Sequence, residues 1–144
     1  MRAAWAVVVA GCAGEGPLGV NEVASREPVA DWVELWNDDG GPRSVAGWSL
    51  ASPAGVFTFP ADAELAQDEF AVVAFGGERV ARWTAAFALP DEAFDLTVSD
   101  ADHRRIQQIH VPETGAGQSF GRVPDDEPNW QVIDAPTPGE RNVP

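Results

Sequence analysis

The sequence predicts an all-β protein built as a sandwich of two sheets. Short apolar runs alternate with polar residues at a period of two, which is the pattern of half-buried strands. The 14 glycines and 12 prolines fall mostly between these runs and indicate many turns. A chain of 144 residues has room for one domain with one core. We count nine or ten such strand segments, which is typical of a β-sandwich.

The predicted strands are short and are bounded by turn residues. They cover residues 18–23, 32–36, 47–50, 56–59, 70–75, 94–98, 105–111, 119–123 and 130–133. In the first strand we expect Leu18 and Val20 to face inward. Val23 is a further inward candidate, although it breaks the alternation of two. The register of residues 105–111 stays open, because the apolar residues of that strand do not alternate evenly.

The second strand separates two kinds of side chain. Val33 and Leu35 share one face, whereas Trp32 and Trp36 share the other. We therefore expect the aliphatic pair in the core and the tryptophans under a loop or at a sheet edge. Residues 70–75 are almost entirely apolar, which predicts a central strand that is covered on both faces.

One segment departs from the alternation. Val80, Trp83 and Phe87 recur at spacings of three and four, which fits one or two turns of an amphipathic helix. Pro90 would end such a helix. We therefore predict one short helix around residues 78–88, covering one end of the sheets.

The first twelve residues resemble a bacterial lipoprotein signal. Arg2 precedes an apolar stretch over residues 3–10, which is too short to span a bilayer, since that takes about 20 residues. Small residues then precede Cys12, as in a lipobox, where the thiol accepts the lipid. We expect residues 1–11 to be the signal peptide, residues 12–17 a lipidated Cys12 with a short tether, and residues 18–142 the folded domain.

Cys12 admits a second interpretation, in which it is a buried thiol and residues 3–10 form a first core strand. The position of this sole cysteine favours lipidation, and no partner remains for an intrachain disulfide. Lipidation places the protein outside the cytoplasm, anchored to a membrane or the cell surface. In a Gram-negative source the outer membrane is expected, because Ala13 replaces the Asp that resembles an inner-membrane retention signal.

The charge balance argues against one class of partner. The formal net charge is −14, and all nine basic residues are arginines. Binding to nucleic acid depends on a basic face that displaces counterions from phosphates. Arg104 and Arg105 are the only adjacent basic pair, and Asp100 and Asp102 lie just before them. We therefore expect neither nucleic acid nor anionic lipid headgroups as ligands.

Several motifs, in order along the chain, resemble the lamin tail domain, an immunoglobulin-like sandwich of nuclear lamins and many bacterial exported proteins. They are Asn21-Glu22, the segment Asp31 to Asn37 with Trp32 and Glu34, Gly47-Trp48-Ser49-Leu50 followed by Phe57-Thr58-Phe59-Pro60, Phe120-Gly121-Arg122-Val123-Pro124-Asp125, and Thr137-Pro138-Gly139 with Asn142. The resemblance covers nearly the whole domain and is poorest over residues 76–95. It implies an immunoglobulin-like fold and a scaffolding or interaction role, since fold alone assigns no chemistry.

Two of the motif residues are charged and lie among apolar neighbours. Glu22 and Glu34 occupy predicted strands, where a partly buried carboxylate needs hydrogen-bond donors or a cation. Arg122 could supply a bidentate partner, so we hypothesise an ion pair between Glu34 and Arg122.

The motifs of common enzyme classes are missing from the sequence. There is no G-x-S-x-G, no H-E-x-x-H and no phosphate-binding glycine loop with a lysine. We predict no catalytic residues and no cofactor. Asp38, Asp39, Asp100 and Asp102 are weak candidates for a calcium site, since calcium takes oxygen ligands, but we expect them to cap turns and stay solvated.

The expected function is therefore a non-enzymatic, membrane-anchored interaction or scaffolding module of the bacterial cell envelope. Its partner would be an envelope protein or a glycan. The alternative is a carbohydrate- or calcium-dependent surface adhesion module. Trp83 and Trp130 are the local support for both, because exposed aromatic residues often anchor partners or stack on sugars, although both could equally be lids on the core.

Overall fold

The computed structural model describes residues 18–125 and 127–142. Within that part of the chain every regular element is a strand. The strands are β1 (Leu18–Ala24), β2 (Asp31–Asn37), β3 (Arg43–Ser44), β4 (Ser49–Ser52), β5 (Gly55–Thr58), β6 (Glu64–Leu65), β7 (Phe70–Phe75), β8 (Trp83–Ala85), β9 (Phe94–Ser99), β10 (Arg105–Val111), β11 (Ser119–Arg122) and β12 (Trp130–Ile133). No helix in the described residues has the length and hydropathy needed to cross a bilayer.

Two sheets form the sandwich. The larger has six strands in the order β12-β11-β1-β2-β7-β8, and the smaller has four in the order β10-β9-β4-β5. A third sheet pairs only β3 with β6. The core fills the space between the layers with side chains from both, including Val20, Leu35 and Val73 from the larger and Leu50 and Leu96 from the smaller. The predicted all-β, immunoglobulin-like sandwich is thereby confirmed.

The two faces of β2 agree with the prediction. Val33 and Leu35 belong to the core cluster, and Trp32 and Trp36 are buried on the opposite face. The indole N–H of Trp32 donates to Glu27 in the loop before β2, at 3.2 Å. The Trp36 ring stacks on Phe70 with centroids 5.1 Å apart. The outer face of this sheet is therefore covered, which allows apolar side chains on both sides of β2.

A bulge in β1 explains the irregular spacing of its inward residues. Leu18, Val20 and Val23 all lie in the core, although a strict alternation would have placed residue 22 inward. The pairing of β1 with β2 shifts between Val20 and Glu22, so that Asn21 is the extra residue. The bulge turns Glu22 to the outer face, where it lies opposite Glu34.

The predicted helix around residues 78–88 is wrong. Val80, which was to face the core, is 98% exposed, and residues 83–85 form β8 instead. β8 pairs in parallel with β7, Trp83 lying opposite Val73. From Trp83 to Leu89 the more buried residues are every second one, which is the strand period. The segment carries both a helical spacing of three and four and a strand alternation of two. It forms a strand because its backbone pairs with the edge of β7.

The different widths of the two sheets shape one end of the sandwich. β10 is an edge strand of the smaller sheet, and β12 is an edge strand of the larger one. β10 approaches β1, so that β11 and β12 extend beyond the smaller sheet. We call this extension, formed by β11 and β12, the overhang. It leaves a step between the sheets, and the candidate binding cleft described below lies at that step.

Candidate functional site

Seven polar and glycine residues of the sequence motifs meet in one cluster on the outer face of the larger sheet. We call it the polar network, and its members are Asn21, Glu22, Glu34, Asp125, Thr137, Gly139 and Asn142. They come from β1, β2, the turn after β11 and the C-terminal segment. Residues more than a hundred positions apart in sequence thus share direct hydrogen bonds. Residues from the first, second and last two motif segments therefore form one structural unit.

Two carboxylates lie at the centre of the polar network. Glu22 and Glu34 are register partners on β1 and β2, and both are fully buried. Glu22 accepts hydrogen bonds from the Ser119 hydroxyl and from the Thr137 backbone N–H, the latter at 3.3 Å. Glu34 accepts from Asn21 Nδ2 at 3.1 Å and from the Gly139 backbone N–H at 2.6 Å. Neutral donors therefore hold both acidic groups in the absence of bulk water.

Burial dominates the electrostatics of this pair. Desolvation raises the pKa of Glu34 from 4.5 to about 8, and hydrogen bonds from Asn21 and Gly139 only partly oppose it. Desolvation also raises the pKa of Glu22, against the hydrogen bonds from Ser119 and Thr137. The negative charges of Glu22 and Asp125 add to the effect on Glu34. At neutral pH the network thus carries less negative charge than its number of carboxyl groups suggests.

The Thr137 hydroxyl links Glu22 to the end of the C-terminal segment. Thr137 Oγ1 lies 3.2 Å from Glu22 Oε1 and 2.8 Å from Asn142 Oδ1. A hydroxyl has one proton, which serves one of these acceptors at a time.

The C-terminal segment crosses the outer face as a strap, which we define as residues 134–142. Asn142 fixes its end: Nδ2 donates to the Arg122 carbonyl at 2.8 Å, and the backbone N–H donates to Asp125 Oδ1 at 2.9 Å. Asn21 Nδ2 also donates to that Asp125 oxygen, at 2.8 Å. The strap closes the polar network and excludes water from its carboxylates.

Two glycines permit this close approach. A Cβ atom at Gly121 would lie 3.0 Å from Asn142 Nδ2, from the Asn21 carbonyl and from Glu22 Cγ. Gly139 has φ of +82°, which places its N–H against Glu34 in a conformation that other residues rarely adopt. Pro138 lies between Thr137 and Gly139 and is half-buried. The T-P-G motif therefore has a backbone role.

The remaining motif residues lie outside the polar network. Trp32 is buried on the same face, near Glu27 and Arg79. Trp48 is half-buried and packs against the core. Arg122 is buried, with its guanidinium 5.8 Å from the centroid of the Trp130 ring.

The hypothesised ion pair between Glu34 and Arg122 is wrong. Gly121 is the register partner of Glu22, and Glu22 is that of Glu34, so these three positions share the outer face. Arg122 follows Gly121, and the alternation of a strand directs its side chain to the other face. The donors to Glu34 are Asn21 and Gly139.

The aspartates proposed as calcium ligands form hydrogen bonds within their own turns. Asp100 Oδ1 accepts from the backbone N–H groups of Asp102 and Arg104, and its other oxygen lies 3.3 Å from Arg104 Nε. Asp39 contacts Arg43 at 2.7 Å. These hydrogen bonds lower the pKa of both Asp39 and Asp100. Asp38 lies beside Asp39, and within residues 18–125 and 127–142 no three acidic, histidine or cysteine side chains are grouped as metal ligands.

Cys12, the predicted lipidation site, lies outside the described residues.

A cleft of about 260 Å³ opens at the step between the two sheets. One wall is the β10 segment Gln108–His110, and the other is formed by Phe120 of β11 and Trp130 of β12. The Phe120 and Trp130 rings stack with centroids 5.4 Å apart and 24° between their planes. Val132 lies opposite Phe120 in the register and is 44% exposed, which extends the apolar wall along the overhang.

The β10 wall is polar. Ile109 points into the core, and Gln108 and His110 are exposed on the other face of β10. The His110 Nδ1 atom lies 2.8 Å from Asp95 Oδ1 on the neighbouring strand. An amide and an imidazole group therefore border a stacked aromatic pair, which is a composition found in binding surfaces.

Sequence reasoning found only part of this cleft. Trp130 was singled out as a candidate anchor, but the contributions of Gln108, Ile109 and His110 were not predicted. The signal was weak because the register of β10 shifts between Arg105 and Gln107. The position of β10 beside the overhang depends on strand order, which a single sequence does not specify.

Comparison of the chain with models of known protein families and with curated proteins found no match.

Proposed function

We propose that this protein is a non-enzymatic binding module of the bacterial cell envelope, anchored through a lipid on Cys12, which holds a partner in the cleft between β10 and the overhang. The observation that carries the proposal is the stacked pair Phe120 and Trp130 facing an open strand edge. Aromatic side chains that are partly exposed beside polar groups are the commonest anchors of protein interfaces.

The anchor is supported by the sequence before the domain. Cys12 follows an apolar stretch and small residues, and β1 starts at Leu18. A tether of that length reaches at most about 20 Å when fully extended. The domain would therefore stay close to the membrane surface, and its partner would be another component of the envelope.

Kinship with the lamin tail domain is part of the proposal. The support is that residues carrying the resemblance contact one another and hold the strap against the sheet. They are Asn21, Glu22, Glu34, Gly121 and Asn142. A motif whose members contact each other is a stronger indication of kinship than scattered identities. The scaffolding role follows by analogy with that family.

The anchor is tested by metabolic labelling with a clickable fatty acid in the producing cells. We expect label on the full chain and none on Cys12→Ser. Equal labelling of the two proteins, or none on either, would remove the anchor from the proposal.

The cleft is tested by photo-crosslinking in the same cells. A photoreactive amino acid at Val132 lies on the apolar wall, whereas one at Val56 lies on β5, at the opposite edge of the smaller sheet. Both positions are exposed, Val56 at 61%, so they form a matched pair. We expect a specific adduct from position 132 only. The same adducts from both positions would indicate collision and not a binding site.

Carbohydrate-dependent adhesion is the second candidate. The specific observation in its favour is that Gln108 and His110 border the Phe120–Trp130 stack, since sugars bind to aromatic faces and planar polar groups. A glycan array on the full chain, repeated with Trp130→Ala, tests it. A chelator included in a further repeat tests the calcium-dependent form. Adhesion requires array binding that disappears in the variant.

A further inference from the structure

We infer that the cleft takes an extended, positively charged peptide segment of the partner, which adds to β10 as a fifth strand of the smaller sheet. This rests on the proposed function and specifies the chemistry of its ligand. The inference depends on three features of the described residues: the free edge of β10, the apolar wall of the overhang and the charge of the surroundings.

The edge of β10 is long for an unprotected strand. β10 has seven residues, whereas the other edge strands of the two large sheets, β5, β8 and β12, have four, three and four. Edge strands present unpaired N–H and C=O groups, and proteins usually limit them by keeping them short or covering them. Near its start, β10 contacts β1 through the Gln107 side chain, which bonds to the backbone of Val20. Among the described residues, β9 is the one strand that pairs with the β10 backbone. Residues 108–111 remain open to a further strand.

The overhang supplies a wall for the side chains of such a strand. Phe120, Trp130 and Val132 share the face of β11 and β12 that borders the cleft. In strand addition, main-chain hydrogen bonds supply affinity, and pockets beside the edge select every second side chain. The cleft lies below the range of roughly 300–1,000 Å³ that small-molecule sites usually occupy. A cleft of this volume does not enclose a drug-sized ligand, so we expect the partner to extend beyond it along the edge of β10.

The charge around the cleft selects the sign of the peptide. Asp95 beside His110 is 53% exposed, and Glu113 just after β10 is 66% exposed and lies 3.8 Å from Arg26. Glu127 before β12 and Asp134 after it are exposed as well. Arg105, paired with Gln108, is the exposed cation on β10. With a net charge of −14 on the whole chain, a basic peptide is attracted and a second copy of this chain is repelled.

The test uses the full chain, purified in detergent, and a fluorescent peptide of alternating basic residues and valines (Lys-Val-Arg-Val-Lys-Val-Arg). Anisotropy at physiological salt measures its affinity. Two matched peptides separate the contributions: one has Glu at every basic position, and the other keeps the sequence but is N-methylated at every interior residue. We expect both to bind at least about tenfold more weakly, because the first loses charge attraction and the second loses the backbone hydrogen bonds.

Protein variants locate the site. Val132→Lys places a positive charge on the exposed wall without emptying the core, and Val56→Lys makes the same change in net charge at the opposite edge. We expect about a tenfold loss of affinity for Val132→Lys and none for Val56→Lys. Hydrogen exchange should show slower exchange of backbone amides within residues 108–111 when the basic peptide is bound.

Three results would overturn the inference. Equal binding of the methylated and unmethylated peptides would mean attraction by charge alone. Binding of soluble envelope oligosaccharides, with no peptide binding, would assign the cleft to a glycan. Self-association in sedimentation, with no peptide binding, would assign β10 to a second copy. If position 132 still crosslinks to an envelope protein in these cases, the proposed function survives without the peptide inference. If the crosslink and the peptide binding both fail, the proposed function and the inference are both wrong.

Discussion

Glu22 and Glu34 face each other across adjacent strands, both buried, and the strap hydrogen-bonds to each of them. Like charges directly opposite each other in a sheet are destabilising, so this buried pair lowers the stability of the fold when both groups are ionised. Protonation removes the repulsion and much of the desolvation cost. The attachment of the strap is therefore linked to pH through these two carboxyl groups.

The stability of the wild-type domain should decrease as pH rises from about 5 to 8.5. The pKa of Glu34 in the folded state is about 8, above its ordinary value of 4.5, so its contribution to stability is complete below pH 4.5 and is lost as pH rises through 8. Glu34→Gln removes this titration and should flatten the melting-temperature profile over that interval. Glu113→Gln, an exposed carboxyl, is the control that should leave the slope unchanged. A slope unchanged in Glu34→Gln would mean that Glu34 is not the titrating group.

The C-terminal end of the strap should loosen when the Asn142 side chain is removed. Asn142→Ala deletes the hydrogen bond to the Arg122 carbonyl and the acceptor for Thr137. We expect a loss of about 1–3 kcal/mol, because buried partners are left without hydrogen bonds. Hydrogen exchange should show faster exchange in residues 134–142, and Glu140→Ala, on the same segment but exposed, should change little. Unaltered exchange in Asn142→Ala would contradict this role.

The close packing at Gly121 gives a further test. Gly121→Ala introduces a methyl group 3.0 Å from the Asn21 carbonyl and two other atoms, which is overpacking against backbone. We expect destabilisation of about 1–3 kcal/mol in urea unfolding. Gly41→Ala is the matched control, since a Cβ atom there meets nothing within 4 Å. Equal effects of the two substitutions would show that the strap is not tightly seated.

The strands that sequence could predict are those with their own periodic pattern. Val33 and Leu35 alternate with Trp32 and Trp36, and the structure confirms both faces. The two-residue strands β3 and β6 are too short to carry a period. The sequence around residues 83–85 fits both the helical and the strand period. It forms a strand because β7 lies beside it and pairs with it.

The candidate site was less accessible to sequence reasoning for the same reason. The polar network could be anticipated as a set of motif residues, but not its geometry, since Arg122 and Gly121 differ by one position and face opposite ways. The cleft arises from the unequal widths of the sheets. No residue in β10 signals by itself that it lies at an edge beside Phe120 and Trp130.

Gln107 connects the two sheets at the base of the cleft, and its removal should loosen the sandwich. Its Oε1 accepts from the Val20 N–H at 2.8 Å and its Nε2 lies 3.4 Å from the Val20 carbonyl, both buried. The side-chain amide thus takes the place of a neighbouring strand next to the β1 bulge. Gln107→Leu keeps most of the volume but leaves both backbone groups without that partner.

We expect Gln107→Leu to lower the free energy of unfolding by about 1–3 kcal/mol, the cost of unsatisfied buried groups. Gln108→Leu is the control, because that side chain is exposed and bonds to Arg105 at the surface. Chemical denaturation of both variants, with hydrogen exchange at Val20, gives the readout. A Val20 amide that stays protected in Gln107→Leu would show that the bulged backbone finds another partner and that Gln107 does not join the sheets.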